Sequence, residues 1–151
     1  MAIEHRFDAR LTWRKGAAGV AAHNHEVSFA GRPSIEVSAA SQYKGDPSRL
    51  NPEELFLASL ASCQMLSYLA FAARAGIDVV AYDDAAQAKL AIVERRMRIA
   101  AVALRPRITI APGQDAAKAH ALVESAHAAC FIANSVACPV EVEAEIVVTP
   151  G

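Results

Sequence analysis

The segment from Asn51 to Gly76 constrains this chain more than any other. Asn51 is a good N-cap, Pro52 suits the first helical position, and Glu54 stands three residues after the cap, as a capping box requires. Phe56, Ser59/Leu60, Cys63, Leu66/Ser67 and Ala70 then recur with helical spacing, and Gly76 supplies the stop. The helix predicted over 51–75 is apolar on nearly every side, so it should be covered on most of them. Ser59, Ser62, Gln64 and Ser67 interrupt the apolar run, which therefore reads as a buried helix and not as a membrane span.

A chain of 151 residues is large enough to bury that helix in a single domain over 1–151. With 54% hydrophobic and 21% charged residues it is not a disordered polymer. A net charge of −1 with scattered basic residues argues against a nucleic-acid partner. The segment from Met1 to Arg10 carries Glu4, Arg6, Asp8 and Arg10, which are unlike a signal-peptide core. Three cysteines without a secretory signal point to the cytoplasm, with thiols that are free or reactive.

Around the helix the pattern is mostly strands. His5–Trp13, Gly19–Phe29 and Ser34–Ser38 read as a meander with turns at Arg14-Lys15-Gly16 and Gly31-Arg32-Pro33. Val79–Tyr82, Ala86–Glu94 and Met97–Ile110 read as further strands, with a turn near Glu94-Arg95-Arg96 and an edge or bulge at Pro106. Asp115–Ala128 is a second amphipathic helix with Ala119, Leu122, Val123 and Ala126 inward. Val140–Val148 alternates apolar and acidic residues as one last strand. The expected class is α+β, with antiparallel sheets and two central helices.

The chemistry centres on two cysteines. Cys63 in Ser62-Cys63-Gln64-Met65-Leu66 and Cys130 in Ala129-Cys130-Phe131-Ile132-Ala133 each follow small residues and precede bulky apolar ones. A thiol in an apolar pocket can meet an apolar oxidant, and a second thiol nearby can trap the oxidised product. Burial raises a thiol's pKa, so a reactive Cys63 needs a cation. Arg14 and Arg49 are the candidates, and Glu53 is the carboxylate suited to orient either guanidinium. If Glu53 and Cys63 are both helical, ten residues separate them by about 15 Å along the axis. Either the first turn is displaced, or Arg and Glu reach the thiol from a second subunit, which predicts an intertwined homodimer.

Simpler accounts exist for each of these residues. A lone Cys on an apolar helix is usually a small hydrophobe. Glu53 suits the helix dipole, and Arg14 and Arg49 suit a solvated surface. His23 and His25 form half a metal site with no further ligands at suitable spacing, His120 and His127 are two turns apart, and Cys138 reads as a packing residue.

The run Asn51-Pro52-Glu53-Glu54-Leu55-Phe56-Leu57-Ala58-Ser59-Leu60-Ala61-Ser62-Cys63 resembles the central-helix motif of the OsmC/Ohr family of thiol peroxidases. Ala126-His127-Ala128-Ala129-Cys130-Phe131-Ile132-Ala133-Asn134-Ser135 resembles that family's second-cysteine motif. The resemblance implies an OsmC-like fold, an intertwined homodimer and reduction of organic hydroperoxides without metal or bound coenzyme. It implies that Cys63 is the peroxidatic thiol, Cys130 the resolving thiol and Glu53 the carboxylate holding an arginine. Arg14 matches by its place in the first hairpin, and Arg49 is a second candidate. It also suggests a lipoyl-type dithiol as reductant. Phe131, Ile132, Met65 and Leu66 are expected to wall the pocket. A non-catalytic protein binding an apolar ligand on the same fold, and a metal-binding or metal-dependent hydrolytic protein using His23, His25 and the cysteines, are the alternatives.

Overall fold

The computed structural model describes residues 2–151. The chain forms two compact units, one ending at Leu55 and the other beginning at Phe56.

The first unit carries an antiparallel sheet of β1 (Arg10–Thr12), β2 (His25–Ser28) and β3 (Ile35–Val37). Leu11 pairs with Val27, and Val27 with Ile35, so one face of the ribbon is apolar. The strands are shorter than their sequence patterns. Gly19–His23 is a 3₁₀ turn, because Gly-Val-Ala-Ala-His offers no alternation and Gly19 sits at φ 63°. Trp13 Nε1 pins this turn by donating to Ala22 O at 2.9 Å. Beyond β3, Ser38 N donates to Leu50 O, which brings the chain back to the start of the long helix. In this loop the Ser48 hydroxyl, the Asn24 amide and the Ser48 N–H hold the Asp46 carboxyl down at about 2.

Helix α1 (Pro52–Ala75) starts as its cap residues require. Glu54 N donates to Asn51 Oδ1 at 3.0 Å, and Asn51 Nδ2 donates to the Glu54 carboxylate. It ends where Gly76 takes φ 74° and Ile77 N returns to Ala72 O at 2.9 Å. Its fully buried stripe is narrow: Leu60, Gln64, Tyr68 and Ala72, one residue per turn. Ser62, Leu66, Ala70 and Ala73 are exposed in the single chain, so the helix is not covered on most sides by its own subunit.

The second unit holds two three-stranded sheets. One runs β4 (Val79–Asp84), β7 (Pro106–Ile110), β9 (Glu145–Val148). The other runs β5 (Gln87–Val93), β6 (Arg96–Leu104), β8 (Val140–Val142). The expectation of antiparallel sheets needs correcting. β4–β7 and β5–β6 are antiparallel, but β8 lies parallel to β6 and β9 parallel to β7. The cause is the crossover through helix α2 (Ala116–Ala129), which brings the chain back running in its former direction.

Two predicted strands are each split. Met97–Ile110 breaks at Arg105, whose N–H donates to Asp84 Oδ1 at 2.7 Å instead of continuing a ladder, and Pro106 starts β7. Val140–Val148 breaks at Glu143–Ala144 as it passes from one sheet to the other. Val142 packs against both hydrophobic clusters of this unit. One cluster is built on Tyr68, Ile108, Ile110, Ala119, Val123 and Ala126, and the other on Leu60, Val102 and Leu104. Helix α2 is capped by Asp115, whose Oδ1 accepts from Lys118 N at 3.1 Å, and turns Ala119, Val123 and Ala126 inward.

Candidate functional site

Cys63 lies in the middle of α1 and is half-buried, while Cys130 is the C-cap of α2 and fully buried. Both are free thiols. The chain that leaves α2 determines what surrounds them. Asn134 N donates to Cys130 O at 3.0 Å and Ser135 N to Ile132 O at 3.0 Å. Asn134 Nδ2 also reaches back to Ala128 O at 3.1 Å. This locked turn aims the backbone N–H groups of Ile132 and Phe131 at the Cys63 sulfur.

The two thiols are thereby set to different acidities. Burial alone would raise Cys63, but hydrogen bonds from the Ile132 N–H, the Cys130 thiol, the Phe131 N–H and the Ser67 hydroxyl outweigh it, and the pKa is lowered. Burial raises Cys130, and acting as donor to Cys63 raises it further, against the N–H groups of Ala133 and Ile132. This arrangement gives one thiol that ionises early and a protonated neighbour beside it.

Cys63 opens onto a groove of about 500 Å³ lined also by Leu66, Ser67, Ala70, Phe71, Arg74, Ala129 and Phe131. Of the four residues expected to form an apolar wall, Leu66 and Phe131 line the groove. Ile132 instead packs into the core cluster around Leu60, and Met65 is not part of the lining. Ser67 and Phe71 follow Cys63 by four and eight residues, a spacing that sequence periodicity could have picked out. The two N–H donors leave no mark in side-chain identity and could not have been found that way.

Glu53, Arg14 and Arg49 belong to the first unit. There Arg49 donates to His25 O at 3.3 Å and pairs with Glu36 at 3.4 Å, with Asp46 4.0 Å away. Arg14 is exposed and donates to Trp13 O at 3.0 Å. Neither pairs with Glu53 among the described residues, and Glu53 Oε2 is buried without a hydrogen-bond partner there. Helix α1 is unbroken, so the first turn carrying Glu53 is not displaced from the helix that carries Cys63.

His25 Nδ1 lies 2.8 Å from His23 O, and the two residues do not share one strand: His23 ends the 3₁₀ turn and His25 begins β2. His120 and His127 line a cavity of about 260 Å³ with Glu124. Among the described residues no group of three or more His, Cys, Asp or Glu is arranged to hold a metal ion. Cys138 packs against the cluster around Leu60.

No curated protein matches the chain in sequence. The fold is that of an OsmC-like protein of unknown function from Vibrio cholerae, with 29% identity, a TM-score of 0.83, and coverage of 95% of this chain and 100% of that one. An organic hydroperoxide resistance protein OsmC from Legionella pneumophila is similar at 20% identity and TM-score 0.70, over 97% and 99% of the two chains. The organic hydroperoxide resistance protein OhrB of Bacillus subtilis is similar at 21% identity and TM-score 0.61, over 93% and 98%. A model of the OsmC-like protein family matches residues 45–145. That match takes in Cys63, Cys130 and both helices, and the chain belongs to the OsmC-like protein family.

Proposed function

We propose that the protein is a thiol peroxidase that reduces organic hydroperoxides through a Cys63–Cys130 disulfide cycle. One observation carries the reading: the free Cys63 thiol opens onto an apolar groove, and the free thiol of Cys130 lies beside it. The Cys63 thiolate attacks the O–O bond of the hydroperoxide. That bond breaks, the alkoxide takes up a proton and leaves as the alcohol, and the sulfur is oxidised to a sulfenic acid. The Cys130 sulfur then attacks Cys63, and its proton leaves with the sulfenic hydroxyl as water as the disulfide forms. An external dithiol, of the lipoyl type in this reading, exchanges with the disulfide, becomes a cyclic disulfide and restores both thiols.

The groove favours an organic peroxide over hydrogen peroxide because the latter has no apolar surface to bury. The names of the Legionella and Bacillus proteins support the same substrate class. In this reading Glu53 orients Arg14, or Arg49, toward a Cys63 thiolate across an intertwined homodimer, and the protein works in the reducing cytoplasm. The exposed apolar side of α1 supports a second subunit.

The test is consumption of cumene hydroperoxide with a dithiol, alongside peptide mapping. The wild type is expected to turn over, Cys63→Ser to lose all turnover while staying folded, and peroxide to link Cys63 to Cys130 within one chain. Wild-type turnover by Cys63→Ser overturns the assignment. Light scattering at micromolar concentration should report a dimer, and a monomer would remove the shared site.

A further inference from the structure

Cys130 ends helix α2 with an extended backbone, φ −68° and ψ 115°, so the peptides that follow leave the helical course. In a continued helix the Ile132 N–H would donate to Ala128 O, four residues back. Here the side-chain amide of Asn134 takes that carbonyl, with Nδ2 at 3.1 Å. The next side chain, Ser135, donates from Oγ to Phe131 O at 2.7 Å. Phe131 O and the Ile132 N–H belong to one planar trans peptide, in which C=O and N–H point in opposite directions. Fixing the oxygen therefore fixes the N–H, which donates to the Cys63 sulfur. The hydroxyl also polarises the peptide that it binds and so strengthens the donor at its far end. Both side-chain bonds run within one chain, so a second subunit packed against α1 need not break them.

We propose that Asn134 and Ser135 are positioning residues for the Cys63 thiolate: together they hold the Phe131–Ile132 peptide so that its N–H donates to the sulfur. The inference rests on the peroxidase reading and deepens it, by naming what activates the attacking thiol from inside its own subunit. Neither side chain lines the groove, so each acts only through the peptide. The Ile132 N–H is the strongest of the four donors to Cys63 and the weaker of two peptide donors to Cys130, so the effect falls mainly on Cys63.

The test is the pH profile of Cys63 alkylation by iodoacetamide in the reduced wild type, Asn134→Ala, Ser135→Ala and Ser135→Thr. Losing one positioning hydrogen bond should raise the midpoint by about half a pH unit, which is about threefold less thiolate on the acid side. Ser135→Thr keeps the hydroxyl and should keep the wild-type midpoint. Well above the midpoint all four proteins should react at the same rate, because the thiol is then ionised in each. Oxidation of Cys63 by cumene hydroperoxide should follow the same profiles. A midpoint that neither alanine variant moves overturns the inference, as does a threonine variant that shifts like the alanine one. An equal loss of rate at every pH also overturns it, since that marks a distorted site and not a weaker acid. The alkylation profile needs no peroxide. If the wild type does not consume cumene hydroperoxide, the peroxidase reading fails, and the midpoints still decide the role of Asn134 and Ser135.

Discussion

The Cys130 thiol donates a hydrogen bond to the Cys63 sulfur, and that bond lowers the pKa of one cysteine while raising the other's. The peptide N–H groups after α2 lower both thiols, so part of the activation of Cys63 comes from backbone and not from a charged side chain.

The expected result is selective alkylation. Iodoacetamide should modify Cys63 well before Cys130 in the native protein. Its rate–pH profile should have a midpoint below the ordinary thiol value of about 8.5, and the rate should fall about tenfold per pH unit on the acid side. Cys130→Ala removes the donor and should move the midpoint upward. Mass spectrometry of the quenched reaction reads both, and a midpoint equal to that of free cysteine would contradict the arrangement.

A second prediction separates the arginines. If Arg14 held by Glu53 supplies the cation, Arg14→Ala and Glu53→Ala should each slow oxidation of Cys63 by cumene hydroperoxide about tenfold or more, and each should raise its thiolate midpoint. Arg49→Ala should act mainly on stability, because Arg49 already bonds His25 O and Glu36. Ultraviolet absorbance of the thiolate follows the midpoint. If neither arginine variant changes midpoint or rate, the peptide donors and Ser67 suffice.

How far the sequence revealed this arrangement differs from element to element. Helix α1 was legible to its ends because Asn51, Pro52, Glu54 and Gly76 are local signals, and both cysteines sit on elements read correctly. The passage of Val140–Val148 between two sheets was not legible, since alternation reports which side is apolar and not which strand is the partner. Gln64 read as an interruption of the apolar run, yet both it and Tyr68 reach α2. Gln64 Nε2 approaches Val123 O at 3.4 Å and Tyr68 OH donates to Ala119 O at 2.8 Å.

That last bond gives a third prediction. Ala119 O lies within α2 and keeps its helical partner if the hydroxyl is removed. Tyr68→Phe should therefore cost only about 1 kcal/mol, measured by urea unfolding. A loss several times larger would mean that the hydroxyl does more than join the two helices.

The hairpin between β5 and β6 turns on two residues that strain it. Glu94 and Arg95 stand at φ 50° and 67°, the left-handed region that a two-residue turn of this kind demands and that glycine occupies without cost. Arg95→Gly should stabilise the protein by about 1 kcal/mol, seen as a higher Tm. A lower Tm would show that the Arg95 side chain contributes more than its backbone costs.

Asp84 offers a prediction whose sign depends on pH. Its Oδ1 accepts from Arg105 N, while Oδ2 is buried without a partner among the described residues. Burial pushes the carboxyl up, against the Arg105 N–H and guanidinium, and the net shift is upward. A carboxyl whose folded pKa exceeds its unfolded one favours folding fully only below the unfolded value, about 3.9, and that contribution is lost as pH rises through the folded value. At neutral pH the native protein therefore carries a buried charge that works against folding. Asp84→Asn keeps the acceptor for Arg105 N and removes the charge. Its Tm should exceed that of the wild type near neutral pH, and the gain should shrink as pH falls toward the unfolded value of about 3.9 and the native carboxyl takes up its proton. A gain of equal size at both pH values would mean that the amide acts through a new hydrogen bond and not through the lost charge.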